Sequence, residues 1–198
     1  MCQLVETIKC KNGKLENLHY HQARFNLTRK NMFGDDRIIP LNEIIKIPAK
    51  FQKGLFRSRV VYSSEIENIE FHPHKYRQVK SLKLIKDNSI DYHLKFTDRK
   101  KLNELFEKRG DCDDILIVKN GCITDSYIAN VVFFDGCEWW TPSTPLLHGT
   151  RRAQLIEKGK IKVCRITPDD LHRFEKAGLI NAMQDLNEMP EVKIENII

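Results

Sequence analysis

The chain has 198 residues, of which 41% are hydrophobic and 30% charged, and Lys and Arg (33) outnumber Asp and Glu (27) for a net charge of +6 at pH 7. This balance builds a globular core and excludes a disordered chain; no apolar run approaches the roughly 20 residues that cross a bilayer as a helix, and the N-terminus lacks the basic and apolar regions of an export signal. Basic residues alternate with acids, as in Asp98-Arg99-Lys100-Lys101 before Glu104, with no interleaved aromatics, so neither nucleic acid nor a membrane is expected as a partner.

The pattern along the chain predicts mixed α and β structure. A strand over 5–9 turns at Asn12-Gly13. A helix follows over 17–32, with Asn17 as N-cap, Leu18, His21, Phe25, Thr28 and Met32 at spacings of three and four, and Gly34 just past its end. Residues 41–47 fit a short helix or a strand. Strands are expected over 55–62, with Arg57 and Arg59 on one face, and over 65–71. The turn residues of 72–76 mark a boundary between a small N-terminal α/β domain, 1–75, and a larger domain, 76–198. There a strand over 79–85 and a helix over 98–108 precede two hairpins, turning at Asn120-Gly121 and Asp135-Gly136. A helix over 150–158 stops at Gly159, and 161–166 is a short strand. Thr167-Pro168-Asp169-Asp170 starts a helix expected to end at Gly178.

Six scattered cysteines without a Cys-x-x-Cys pair suggest reduced thiols and a cytoplasmic protein. The His19/His21 and His72/His74 pairs have no third ligand at a recognisable spacing, so no metal site is expected.

Five short motifs in a fixed order carry more. They are Leu4-Val5-Glu6-Thr7-Ile8 with Asn12-Gly13-Lys14 and His21-Gln22-Ala23-Arg24; Lys95-Phe96-Thr97-Asp98-Arg99; Asp113-Asp114-Ile115 through Ile123-Thr124-Asp125 to Asn130-Val131; Thr141-Pro142 with Leu147-His148-Gly149-Thr150-Arg151-Arg152; and Ile180-Asn181-Ala182-Met183 with Met189-Pro190. In this order they resemble the class IV aminotransferases, pyridoxal 5'-phosphate enzymes of fold type IV. That group includes branched-chain and D-amino-acid aminotransferases and 4-amino-4-deoxychorismate lyase. The resemblance implies a D-amino-acid aminotransferase-like α/β fold, with a barrel-like larger domain carrying the cofactor lysine, and a homodimer.

It also implies a site. One lysine of the family holds the cofactor as a Schiff base and then moves a substrate proton, which needs an amine. Lys95 stands 30 residues before Asp125 and Lys80 stands 45 before it; the shorter interval matches the family, which selects Lys95. Asp125 matches the carboxylate beside the pyridine nitrogen, which keeps the ring an electron sink; the family has Glu-Gly where this chain has Asp125-Ser126. Arg24 matches the phosphate-binding arginine. Gly149 and Thr150, at a helix start, suit the same phosphate, Leu147 matches the residue packed on the ring, and Asn130 the Asn closing the carboxylate segment. Arg59 is a candidate for a substrate carboxylate.

The chain begins close to the Glu-Thr motif, which implies a missing first strand and a reduced substrate pocket. The expected function is that of a lyase of the 4-amino-4-deoxychorismate type, releasing pyruvate. The alternatives are a branched-chain or D-amino-acid aminotransferase and a non-catalytic relative that binds the cofactor.

Overall fold

A computed structural model describes residues 3–198, and the chain divides into two compact units. The first takes the chain up to Tyr76 together with Leu94–Asp98; the second takes Arg77–His93 and Arg99–Ile198.

In the first unit β1 (Leu4–Lys11) turns through Asn12 and Gly13 into β2 (Lys14–Leu15). Both turn residues are left-handed (φ 49° and 75°), as a tight hairpin of right-twisted strands requires. Next comes α1 (Leu18–Phe33), closed by Gly34 at φ 66°, whose N–H reaches the carbonyls of the last turn. Asn17 flanks this helix as expected but is left-handed and makes no side-chain cap bond. The ambiguous stretch becomes a one-turn helix, α2 (Leu41–Ile44), before Pro48. β3 (Leu55–Tyr62) and β4 (Ile66–Pro73) complete an antiparallel sheet of order β2-β1-β3-β4. One face of β1 carries Leu4, Glu6, Ile8 and Cys10, all fully buried, and Leu4 and Ile8 join Phe25, Leu41, Val60 and Tyr62 in the core.

The expected division places Lys95 in the larger domain, and the structure corrects this. Leu4 and Phe96 form an antiparallel bridge, the Val5 N–H donates to the Lys95 carbonyl (2.9 Å), and the Thr97 N–H donates to the Gln3 carbonyl (3.0 Å). Leu94 and Phe96 pack on the first core. The segment thus extends the small sheet beyond the free edge of β1, a pairing that spacing along the chain does not reveal.

The second unit contains β5 (Leu82–Lys86), α3 (Lys100–Glu107), β6 (Asp114–Lys119), β7 (Cys122–Ser126), β8 (Asn130–Phe134), β9 (Trp139–Pro142), α4 (Thr150–Glu157), β10 (Lys162–Cys164), a 3-10 turn over Pro168–Arg173, β11 (Lys176–Ile180) and β12 (Glu191–Lys193). Hydrogen bonding runs β5-β6-β7-β8-β11-β12. Just past β12 the last two residues return to β5: Ile198 N–H donates to Leu82 O (3.0 Å) and Leu84 N–H to Ile198 O (2.7 Å). This closes a ring, and inward residues from every strand, among them Leu82, Leu116, Ile123, Val131, Phe133, Ala177, Leu179 and Val192, fill one core. The residues between them point outward; Val132 and Ile180 meet Leu155 of α4. Both expected hairpins form, but β5/β6 and β9/β10 are parallel pairs, each bridged by a segment containing a helix.

Gly178 is also corrected. The Thr167 capping box forms, but its 3-10 turn ends at Phe174, and Gly178 lies inside β11. It is there for packing, since a Cβ would collide with the Met189 thioether.

Candidate functional site

In the first unit the central charge is Glu6, fully buried in mid-strand. A lone carboxylate there would cost several kcal/mol. Arg24 meets it bidentately, Nε to Oε1 at 2.8 Å and Nη2 to Oε2 at 2.6 Å, and His21 Nδ1 lies 2.6 Å from Oε2. His21 and Arg24 are three residues apart on α1, so one helix face presents both to β1. Burial pushes the Glu6 carboxyl up, but the Arg24 charge and the bonds from His21 and Arg24 outweigh it and hold it at about 2. Burial pushes His21 below its ordinary value; Glu6 pulls it back up, while the charges of Arg24 and Lys95 push it down. A neutral imidazole that donates Nδ1–H to an ionised Glu6 satisfies this network.

Lys95 is half-buried. Its bridge places it opposite Val5, in the row structure of the sheet face that does not carry Glu6. The pairing register continues that face as Thr7–Arg59–Glu70 and Lys9–Arg57–His72. Arg59 is half-exposed and donates from Nη1 to Glu70 Oε2 (3.1 Å), which His72 also meets. Lys9 is buried, 3.6 Å from Glu16. Arg57 is exposed and has no hydrogen bond or ion pair among the described residues. Directly opposed like charges destabilise a sheet, and burial together with the Arg57 and Lys9 charges also holds His74 below its usual value.

In the second unit Asp125 lies on β7 with Asn130 opposite it on β8. Asn130 Nδ2 donates to Asp125 Oδ1 (2.7 Å) and to the Leu147 carbonyl (2.8 Å), and the Leu147 N–H donates to Asp125 Oδ2 (2.9 Å). Burial pushes the Asp125 carboxyl up to about 6, against the bonds from Leu147 and Asn130 and the Arg152 charge. The direct donors are neutral amides, so the carboxylate remains short of countercharge. From Leu147 the chain reaches Gly149, the N-cap of α4, with Thr150 buried in its first position. No acid occupies the first turn of α4, and Arg151 and Arg152 do. That charge pattern and the dipole of a helix start favour an anion.

A Cβ on Gly149 would land on the Asn130 carboxamide oxygen. Gly149→Ala is therefore expected to displace Asn130 from Asp125 and destabilise the protein by about 1–3 kcal/mol, read as a lower urea midpoint. An unchanged midpoint would show that Asn130 has room to yield.

The structure thus brings Asp125, Asn130, Leu147, Gly149 and Thr150 together in one unit, and Arg24 and Lys95 in the other, where Lys95 is close enough for its charge to act on His21. Lys80 belongs to the second unit; it is exposed, and its N–H donates to Asp113 (2.7 Å). Sequence reasoning gave no role to Glu6, His21, Lys9 or Arg152. The available signal was a His and an Arg one helical turn apart, preceded by an acid in an otherwise apolar strand face. No helix of the described residues is long and apolar enough to cross a membrane.

The family model for amino-transferase class IV matches residues 3–189. An uncharacterized protein of Haemophilus influenzae is 37% identical over 188 residues, 94% of this chain and 100% of that one. A Haemophilus somnus protein of known structure, named provisionally as a 4-amino-4-deoxychorismate lyase, is 34% identical with a TM-score of 0.87, over 94% of this chain and 98% of that one. A hypothetical aminotransferase of Mycobacterium tuberculosis, solved in its PLP-bound form, shares the fold at 16% identity with a TM-score of 0.77, over 96% of this chain and 80% of that one.

Proposed function

The chain belongs to the class IV aminotransferases, enzymes that depend on pyridoxal phosphate, and from that premise we propose that it is a lyase of the 4-amino-4-deoxychorismate type, releasing pyruvate. The observation that carries this reading is the cationic sheet face that Lys95 shares with Lys9, Arg57 and Arg59. A branched-chain substrate offers its side chain no use for these charges. 4-Amino-4-deoxychorismate carries two carboxylates, and Arg57, exposed and without an ion pair among the described residues, offers one of them a partner. The 34% identity to the Haemophilus somnus protein supports the same choice.

The residues fit the cofactor. Asp125 is a buried acid whose hydrogen bonds come from neutral amides, so a cationic ring N–H would supply the countercharge it lacks. Arg24 offers a guanidinium fixed in orientation, suited to a phosphate. In our reading Lys95 holds the cofactor covalently and Arg24 takes its phosphate; in the other unit Gly149 and Thr150 offer a helix start suited to an anion, and Leu147 is the residue suited to pack on the ring. When bound, the cofactor supplies an electron sink for charge left on a substrate carbon. Lys95 Nζ takes the substrate proton and returns it. Asn130 and the Leu147 N–H keep Asp125 aimed, and Arg59, steadied by Glu70, meets a substrate carboxylate.

The test incubates the holoenzyme with 4-amino-4-deoxychorismate and no keto acid. Pyruvate and 4-aminobenzoate forming in equal amounts is the expected result. Turnover of amino acids only with an added keto-acid acceptor would replace the lyase reading with an aminotransferase. Bound cofactor without either activity would point to the non-catalytic relative.

A further inference from the structure

We propose that Glu6 is a positioning residue for the phosphate of the cofactor, acting through Arg24 with His21 as its second partner. The inference rests on the reading of Arg24 as the phosphate cation and goes beyond it. Glu6 is fully buried on the inner face of β1 and accepts from two side chains of α1: Arg24 Nε and Nη2 at 2.8 and 2.6 Å, and His21 Nδ1 at 2.6 Å. The bidentate pair fixes the plane of the guanidinium, and the imidazole fixes the carboxylate. An arginine loses rotamer freedom when it captures an anion; Arg24 has lost that freedom before the anion arrives, which favours binding.

The same pair carries an opposing effect, and this makes the inference decidable. An ionised Glu6 cancels the Arg24 charge at long range and repels a phosphate. If Arg24 acted as a simple point charge, removing the Glu6 charge would tighten phosphate binding. If Glu6 acts by aiming the fork, removing it weakens phosphate binding, because directional charge-assisted hydrogen bonds depend steeply on geometry. The two roles have opposite signs.

The readout is the ratio of dissociation constants for pyridoxal and pyridoxal phosphate, titrated by absorbance into the apo-protein. This ratio isolates the contribution of the phosphate and needs no turnover. Glu6→Gln keeps the shape but presents an amide N–H₂ to one arm of the fork; the ratio is expected to fall about tenfold. An unchanged ratio, or one that rises, overturns the inference. Should Glu6→Gln fail to fold, Glu6→Asp keeps the charge and is one methylene too short to hold both arms, and a fall in the ratio is again expected. Arg24→Gln is the control. If it leaves the ratio unchanged, the reading of Arg24 falls; if it lowers the ratio while the Glu6 variants do not, only the positioning role falls.

Discussion

Relative to the parent, apo Asp125→Asn is expected to gain about 3 kcal/mol of stability as the pH is raised from about 3.5 to about 7. The Asp125 carboxyl is held at about 6, above its ordinary 3.8, because it is buried with too little countercharge. Between those values the folded state binds more protons than the unfolded state, so the stability of the parent falls as pH rises from 3.8 through 6 and is flat beyond. Below 3.8 the acid is protonated in both states, and Asn is close to its isostere. Glu6 and His21 titrate across neighbouring ranges, but they are common to both proteins and cancel in the difference. Any fixed cost of presenting an amide to Asn130 cancels in the pH trend as well. Urea midpoints of the two apo-proteins across this range give the result; a difference that does not change with pH would show that the buried charge carries no penalty. The same substitution is expected to lower turnover by about 10²-fold or more, since Asn cannot hold a ring nitrogen protonated. A group that weakens the empty protein and serves the loaded one is the usual sign of a functional acid.

How much of this was legible depends on the range of the forces involved. The turns at Asn12-Gly13 and Asn120-Gly121 and the box of Thr167 and Asp170 are local chemistry, and each forms where the residues indicate. The end of that last element was misread because Gly178 answers to Met189 across the unit rather than to its own helix. Closure of the ring depends on Ile198 meeting β5, a pairing between the two ends of the second unit with no periodic signature. The site divides in the same way. Asp125 and Asn130 are five residues apart on a hairpin and can be matched by motif. Glu6 was visible as part of a motif but had no reason attached, because an acid on the buried face of a strand makes sense only once Arg24 and His21 are laid over it. The cationic rows of Lys9, Arg57 and Arg59 likewise require the register between β1 and β3, which alternation within one strand does not fix.

Replacing Lys95 by Ala is expected to reduce turnover by about 10⁴-fold and to change stability by no more than about 0.5 kcal/mol. The two effects separate because the backbone of this residue ties the segment to β1. The bond from Val5 N–H to the Lys95 carbonyl and the packing of Leu94 and Phe96 survive the substitution. The side chain adds a positive charge to a sheet region already rich in cations, so its loss also removes repulsion. Borohydride reduction of the holoenzyme followed by peptide mapping is expected to leave a pyridoxyl group on Lys95 in the parent and no label in the variant. A label on Lys80 would overturn the assignment, and the structure gives a reason to expect otherwise. Lys80 is exposed, with its N–H held by Asp113, whereas Lys95 lies within electrostatic reach of His21, which shares Glu6 with Arg24.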